Sequence, residues 1–308
     1  PGAAPPRRPQ GSTRRLLALL AFVLGFATVP HRVCERDASR WFDGDPEKVD
    51  ALAAGVARWT SADVERGAFA TGSARFDGEW LLSTYVFSAL GFGQVAADRA
   101  GARELFLSRM ERCLEAMLDP RLRAFDREAW GADAMDSLVA AAGSAADRGH
   151  AGYLGYAGLA LSLHRTLQPS SRFAAEEERL AIALARRIEA SPTGFLETYP
   201  GEVYPVDNAA ALAALALHAR ATGGPPPALL RGLEALEKRG VDPATGLLLQ
   251  SVDPGDARPR DGARASGTAL AAYFLSFVDE PISRSLFRAL ERRQFRTVLG
   301  FGGMMAHA

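Results

Sequence analysis

The chain has 308 residues, 48% of them hydrophobic and 23% charged, enough for one large domain or two ordinary ones with an ample core. Thirty-six basic side chains balance 36 acidic ones, and no Lys/Arg stripe interleaves with aromatics, which argues against a nucleic-acid partner. Cys34 and Cys113 are too few for a disulfide framework or a cysteine zinc site.

Residues 1–15 are rich in Pro, Gly and Arg and hold no acid, and an apolar run from Leu16 to Val29 ends at Pro30. That order is a secretory signal or an uncleaved membrane anchor over residues 1–30, with a domain over 31–308. The basic flank places the amino end on the cytoplasmic side, so the rest is expected exported or anchored on the periplasmic side of a bacterial membrane. Thr13-Arg14-Arg15-Leu16-Leu17 is a weak twin-arginine pattern. Pro1 is not a methionine, which leaves earlier residues open, and His31-Arg32-Val33 before Cys34 is unlike a lipoprotein cleavage box.

A first helix is expected from Pro46 to Trp59. Beyond it, four segments are apolar all round: Trp80 to Ala97, His150 to Leu163, Asn208 to Ala219 and Ser266 to Val278. Amphipathic, charged segments alternate with them: Ala100 to Leu118, Ala174 to Ala190, Leu229 to Lys238 and Pro281 to Leu299, each with apolar residues three and four apart. Cys113, among Met110, Leu114 and Met117, reads as a packing thiol. A helix apolar all round is buried all round, so the alternation predicts an all-α fold, an α/α toroid of paired inner and outer helices. A flat helical bundle is the alternative. Leu247 to Ser251, between Asp-Pro turns, reads as a rim strand. No Gly-rich phosphate loop follows a strand, so a nucleotide fold is not expected.

In a toroid the starts of inner helices converge on a central cavity. Four clusters lie there: Phe76 to Trp80 with Ser83, Thr84 and Tyr85; Trp130 to Asp136; Gly149-His150 with Tyr153 and Tyr156; and Glu197 to Asn208. Ser266 and Thr268 are weaker candidates. The fourth cluster packs Glu197, Tyr199, Glu202, Tyr204, Asp207 and Asn208 between helices. Its two Tyr-Pro steps forbid a continuous helix, so it is a polar loop. Glu197 and Asp207 are the expected catalytic pair, since two carboxylates in one dry cavity separate their pKa values into an acid and a base. Asp207 as a helix cap, and Glu202 as a solvated turn residue, are the plainer readings. His150 is a second proton-transfer or orienting group, or a capping histidine. Tyr153 and Tyr156 are cavity walls or core aromatics, and Asp133 and Asp136 a solvated loop face. One histidine among scattered acids is a poor metal set.

The run from Phe76 through Arg220, about half of the chain, resembles the linalool dehydratase/isomerase-like domain of bacterial α/α-barrel proteins. The resemblance is carried by Glu79-Trp80-Leu-Leu-Ser-Thr-Tyr, Trp130-Gly131, Arg148-Gly149-His150 into Tyr153-Leu-Gly-Tyr156, and Tyr204-Pro-Val-Asp-Asn208. It implies an acid/base lyase or isomerase without a cofactor, acting on a small hydroxylated, partly apolar molecule. His150 falls on the family's Gly-His position. Glu197 and Asp207 fall where that family has two cysteines, which changes polarity and substrate preference. Trp80, Tyr85, Trp130, Tyr153, Tyr156, Tyr199, Tyr204 and Asn208 then bind the substrate. Such chains run on beyond the segment matching Gly300 to Ala308, and a full ring takes six helix pairs where four are clear, so an incomplete barrel is expected. A homo-oligomer is left open. A carbohydrate-processing toroid, a hydrolase or epimerase, fits paired carboxylates among aromatics equally well. A scaffold that keeps the fold without the pocket is the third reading.

Overall fold

Alternation between fully apolar and amphipathic segments is the pattern that the computed structural model turns into layers. It describes residues 10–61, 64–140, 144, 147, 149–224, 226–278, 280–298 and 301–304; Arg148, quoted in the resemblance, lies outside them. Contacts divide the chain into two units: Pro1–Gly55 with Leu299–Phe301, and Val56–Val298 with Gly302–Ala308. The fold is mostly helical, with 11 α-helices among the described residues.

In the first unit α1 (Gln10–Phe42) does not stop at Pro30 but runs through it for another twelve residues. A proline costs a helix one amide donor and crowds the preceding turn. Here the polar continuation keeps its own bonds, and Arg32 pairs with Glu35 one turn on. Leu16, Phe22 and Phe26 are 65%, 68% and 73% exposed, and the segment Thr13–Phe42 is long and apolar enough to cross a membrane. At the turn into α2 (Pro46–Ser61), Arg40 binds Asp45 and Glu47, while Lys48 binds Asp37 and lies over the Trp41 ring.

The second unit begins its regular structure with α3 (Ala74–Asp98), capped by Ser73, whose hydroxyl accepts from the Phe76 amide. It continues with α4 (Arg103–Leu118), α5 (Ala124–Trp130), α6 (Ala151–Leu167), α7 (Ala174–Ala190), α8 (Pro205–Thr222), α9 (Pro227–Ala235), α10 (Ala265–Leu275) and α11 (Glu280–Gln294). α3, α6, α8 and α10 touch one another in chain order, and behind them pack α4, α7, α9 and α11 respectively. The inner helices are the ones the sequence shows as apolar all round; on α8 every residue from Asp207 to Leu217 is buried. Phe87 of α3 also stacks on Phe274 of α10, and Tyr156 of α6 meets the same ring edge-on. α3 is likewise long and apolar enough to span a bilayer, yet it is a core helix, 56% buried over that window. Cys113 is buried, as its packing neighbours imply, and burial pushes its thiol up to about 11.

The segment expected as helix to Leu299 instead leaves α11 at Gln294 for β3 (Phe295–Val298), and β4 (Phe301–Met304) follows. The stripe of Leu286 and Leu290 has no continuation there, and Thr297-Val298 are β-branched. The expected rim strand is β1 (Leu249–Val252), which pairs antiparallel with β2 (Pro259–Ala263). A bridge from Val203 to Val252 ties it to the loop before α8.

Two devices set the inner packing. On α6, Gly152, Gly155 and Gly158 recur every three residues. A Cβ at Gly155 would lie 2.9 Å from the Asp207 carbonyl oxygen and 3.1 Å from the Ala211 nitrogen, and one at Gly158 would lie 2.6 Å from Leu180. The second device is the buried Glu177 of α7. Its carboxylate accepts from Ser162 of α6 (2.8 Å) and His218 of α8 (2.9 Å) through one oxygen, and from Arg165 (2.7 Å) through the other. These bonds hold the carboxyl below its usual range despite burial, which works the other way.

Because the atoms facing Gly155 are backbone, they cannot rotate away. Gly155→Ala is expected to destabilise by about 1–3 kcal/mol, since overpacking outweighs the gain in helix propensity. A thermal melt that rises instead would show that α6 and α8 are not in close contact.

Candidate active site

The loop from Gly194 to Tyr204 is built on extended pieces, and extended chain sends alternate side chains to opposite sides. Thr198 and Tyr199 hydrogen-bond back to Glu202, closing a tight turn at Pro200-Gly201 where Gly201 takes φ 78°. Asn208 fastens the loop to α8: its carbonyl oxygen accepts from the Leu196 amide at 2.7 Å, and its amide donates to the Leu196 and Tyr204 carbonyls. α8 starts with Tyr204 as N-cap and Pro205 at its first position, so Asp207 enters the first turn facing inward rather than capping it.

A cavity of about 420 Å³ opens at this end of the inner helices. α3 lines it with Arg75, Phe76, Glu79, Leu82 and Ser83; α5 with Phe125; α6 with Gly152 and Tyr156; the loop and α8 with Thr198, Tyr199, Glu202, Tyr204, Val206 and Asp207; β1 with Gln250. Asp207 accepts from the Thr198 hydroxyl at 2.7 Å and from the Tyr156 hydroxyl at 3.0 Å. Burial raises its pKa from 3.8 to about 6; the two hydroxyls oppose that rise and the Glu79 charge adds to it. Glu79, itself pushed up by burial, accepts from the Tyr199 hydroxyl. Arg75 lies over the Tyr199 ring at 4.5 Å and 3.7 Å from Glu202, which accepts from Tyr204 at 2.7 Å. Burial and these carboxylates raise all three tyrosine hydroxyls.

The residues expected from sequence divide here. Asp207, Tyr156, Tyr199 and Tyr204 line the cavity. Glu197 does not face Asp207: it is half-exposed, and its carboxylate accepts from the Gly201 amide at 2.7 Å. Alternation explains this, because Thr198 points at Asp207 and its neighbour turns away. The carboxylate that does act on Asp207 is Glu79. Glu202 sits in the turn with its side chain 42% exposed, as the plainer reading has it, and also borders the cavity.

His150 is fully buried behind the wall and not in it. Its left-handed backbone (φ 68°) turns the ring under Trp130, and Nδ1 sits 2.6 Å from Asp126. Trp130 donates to the Thr198 carbonyl at 3.1 Å and so braces the loop; Gly149 leaves room for its ring. Tyr153 donates to the Met117 carbonyl in the core, and Tyr85 is buried on α3. Trp80 is 58% exposed and is not among the residues lining this cavity, because residue 80 falls a quarter turn beyond Glu79 on the solvent side. Asn208 is a fastener, Thr268 receives the Leu248 amide, and Asp133 pairs with Arg123 at 2.8 Å. Arg75, Gln250 and Asp126 stand outside the four sequence clusters, and Thr198 lies inside the fourth with no role assigned to it. The one available signal was the four-residue step from Arg75 to Glu79, which puts both on one helix face. Among the described residues no three His, Cys, Asp or Glu side chains gather as a metal set.

The raised pKa carries a sign. The folded state holds the Asp207 proton more tightly than an unfolded aspartate, so this group's contribution to stability is greatest below pH 3.8 and falls as pH rises through about 6. At about 1.36 kcal/mol per pKa unit the loss is on the order of 3 kcal/mol. Asp207→Asn is expected to flatten that slope in thermal melts across the same range; an unaltered slope would remove Asp207 as the titrating group. Set against protein-family models and against curated protein sequences, the chain matches none.

Proposed function

We propose that the protein is an acid/base enzyme of lyase or isomerase type, acting on a small hydroxylated, partly apolar molecule. The observation that carries this is the enclosed Asp207, held by Thr198 and Tyr156 and raised toward neutrality beside the second carboxyl, Glu79. Loss of water needs one group that gives a proton and one that takes it, and two carboxyls in one cavity supply both. One of the pair protonates the departing hydroxyl while the other takes the proton from the adjacent carbon, leaving a double bond and one water. His150 and Asp126 act through the wall, as positioning residues. We further propose that the four helix pairs belong to an α/α toroid of the linalool dehydratase/isomerase-like kind, and that α1 is an export signal or an anchor on the periplasmic side of a membrane.

The lining favours a second substrate reading. Arg75, Glu202, Gln250 and three tyrosine hydroxyls are more polar partners than a terpenoid alcohol uses, whereas a sugar would engage them. A screen therefore pairs terpenoid alcohols with sugars and polyols.

With whichever substrate turns over, Asp207→Asn and Glu79→Gln are each expected to lower kcat by about 100-fold or more, the usual span for removing a general acid or base. Glu197→Gln is expected to leave kcat near the parent value, with melting temperatures of all three variants unreduced. Loss of turnover on Glu197→Gln with retention on Glu79→Gln would sink the assignment.

A further inference from the structure

We infer that α11 presents an arginine face that docks on an anionic lipid surface. Leu286, Ala289 and Leu290 are buried, which fixes the rotation of the helix and turns Arg288 and Arg292 outward, both exposed. With Pro281, Arg284 and Ser285 they are the described residues that border a shallow depression. Four-residue spacing keeps the three guanidinium groups on one side. Neither Arg288 nor Arg292 has an ion pair among the described residues, whereas Arg75, Arg123, Arg165, Arg172, Arg186 and Arg260 do. Glu291 is a carboxylate on the same exposed side, and among the described residues no ion pair joins it to Arg288 or Arg292. On a chain of zero formal charge this is segregated positive charge rather than a general excess.

The chemistry beside it selects the partner. Phe287 is 54% and Phe295 45% exposed next to the arginines. Aromatic rings among basic side chains suit the boundary between headgroups and acyl chains, where each basic residue gains from anionic lipid. A free phosphate would use the guanidinium groups and leave the rings in water. The reading of α1 as a membrane segment enters only by bringing the chain to a bilayer.

The test uses the full chain with Cys34→Ser and an environment-sensitive fluorophore on Ser285→Cys, mixed with vesicles of phosphatidylcholine alone or with added phosphatidylglycerol. A blue shift confined to the phosphatidylglycerol vesicles, reversed by salt and abolished by Arg288→Glu/Arg292→Glu at unchanged melting temperature, is expected. Equal emission on both vesicles overturns the proposal. So does a shift that inorganic phosphate or a DNA duplex reproduces, which would make the face an anion or nucleic-acid site. Flotation on phosphatidylcholine alone reports α1 by itself, so failure of the membrane reading is told apart from failure of the arginine face.

Discussion

Burying the Asp207 carboxylate at the start of α8 is the constraint on which the site depends. A carboxyl taken out of water must find donors or a proton, and here it finds two hydroxyls and a raised pKa. Both hydroxyls come from other segments, Thr198 from the loop and Tyr156 from α6. They reach it because α6 carries glycines where α8 and the loop press closest; a Cβ at Gly152 would lie 2.9 Å from the Thr198 methyl carbon. Small residues on α6 and the alanines of α8 thus do in packing what the hydroxyls do in electrostatics.

The opposite wall is organised by α3. Arg75 and Glu79, one turn apart, both engage Tyr199, the first over its ring and the second at its hydroxyl. Arg75 also faces Glu202, so the cavity's acids are each held by a neutral hydroxyl or by that one cation. The His150–Asp126 pair lies a layer deeper, beneath Trp130, whose indole nitrogen holds the loop carbonyl at Thr198. Loop position is in this way set from behind as well as from the side.

How much of this was legible follows from what each signal reports. Periodicity reports burial, so the inner helices α3, α6, α8 and α10 and their amphipathic neighbours were readable from apolar spacing. Short α5 holds too few turns to show a period, and with it Asp126 was lost. The end of α11 was overrun because the arginines continue after the leucine stripe stops. At the site, Asp207 and its tyrosines were recognisable from a loop entering a buried helix. The error over Glu197 arose because nearness in sequence cannot say which side an extended residue faces. Glu79 lies over a hundred residues from Asp207, and nothing local joins them.

Glu177 has a wider consequence. One fully buried carboxylate takes donors from α6 and α8 while belonging to α7, and one of those donors, Arg165, also bonds the Ala174 carbonyl at the start of α7. The three helices therefore form an indivisible module for recombination. A chimera that imports any one of them from another helical protein removes at least one partner from this buried network, while one that moves all three together carries the match with it.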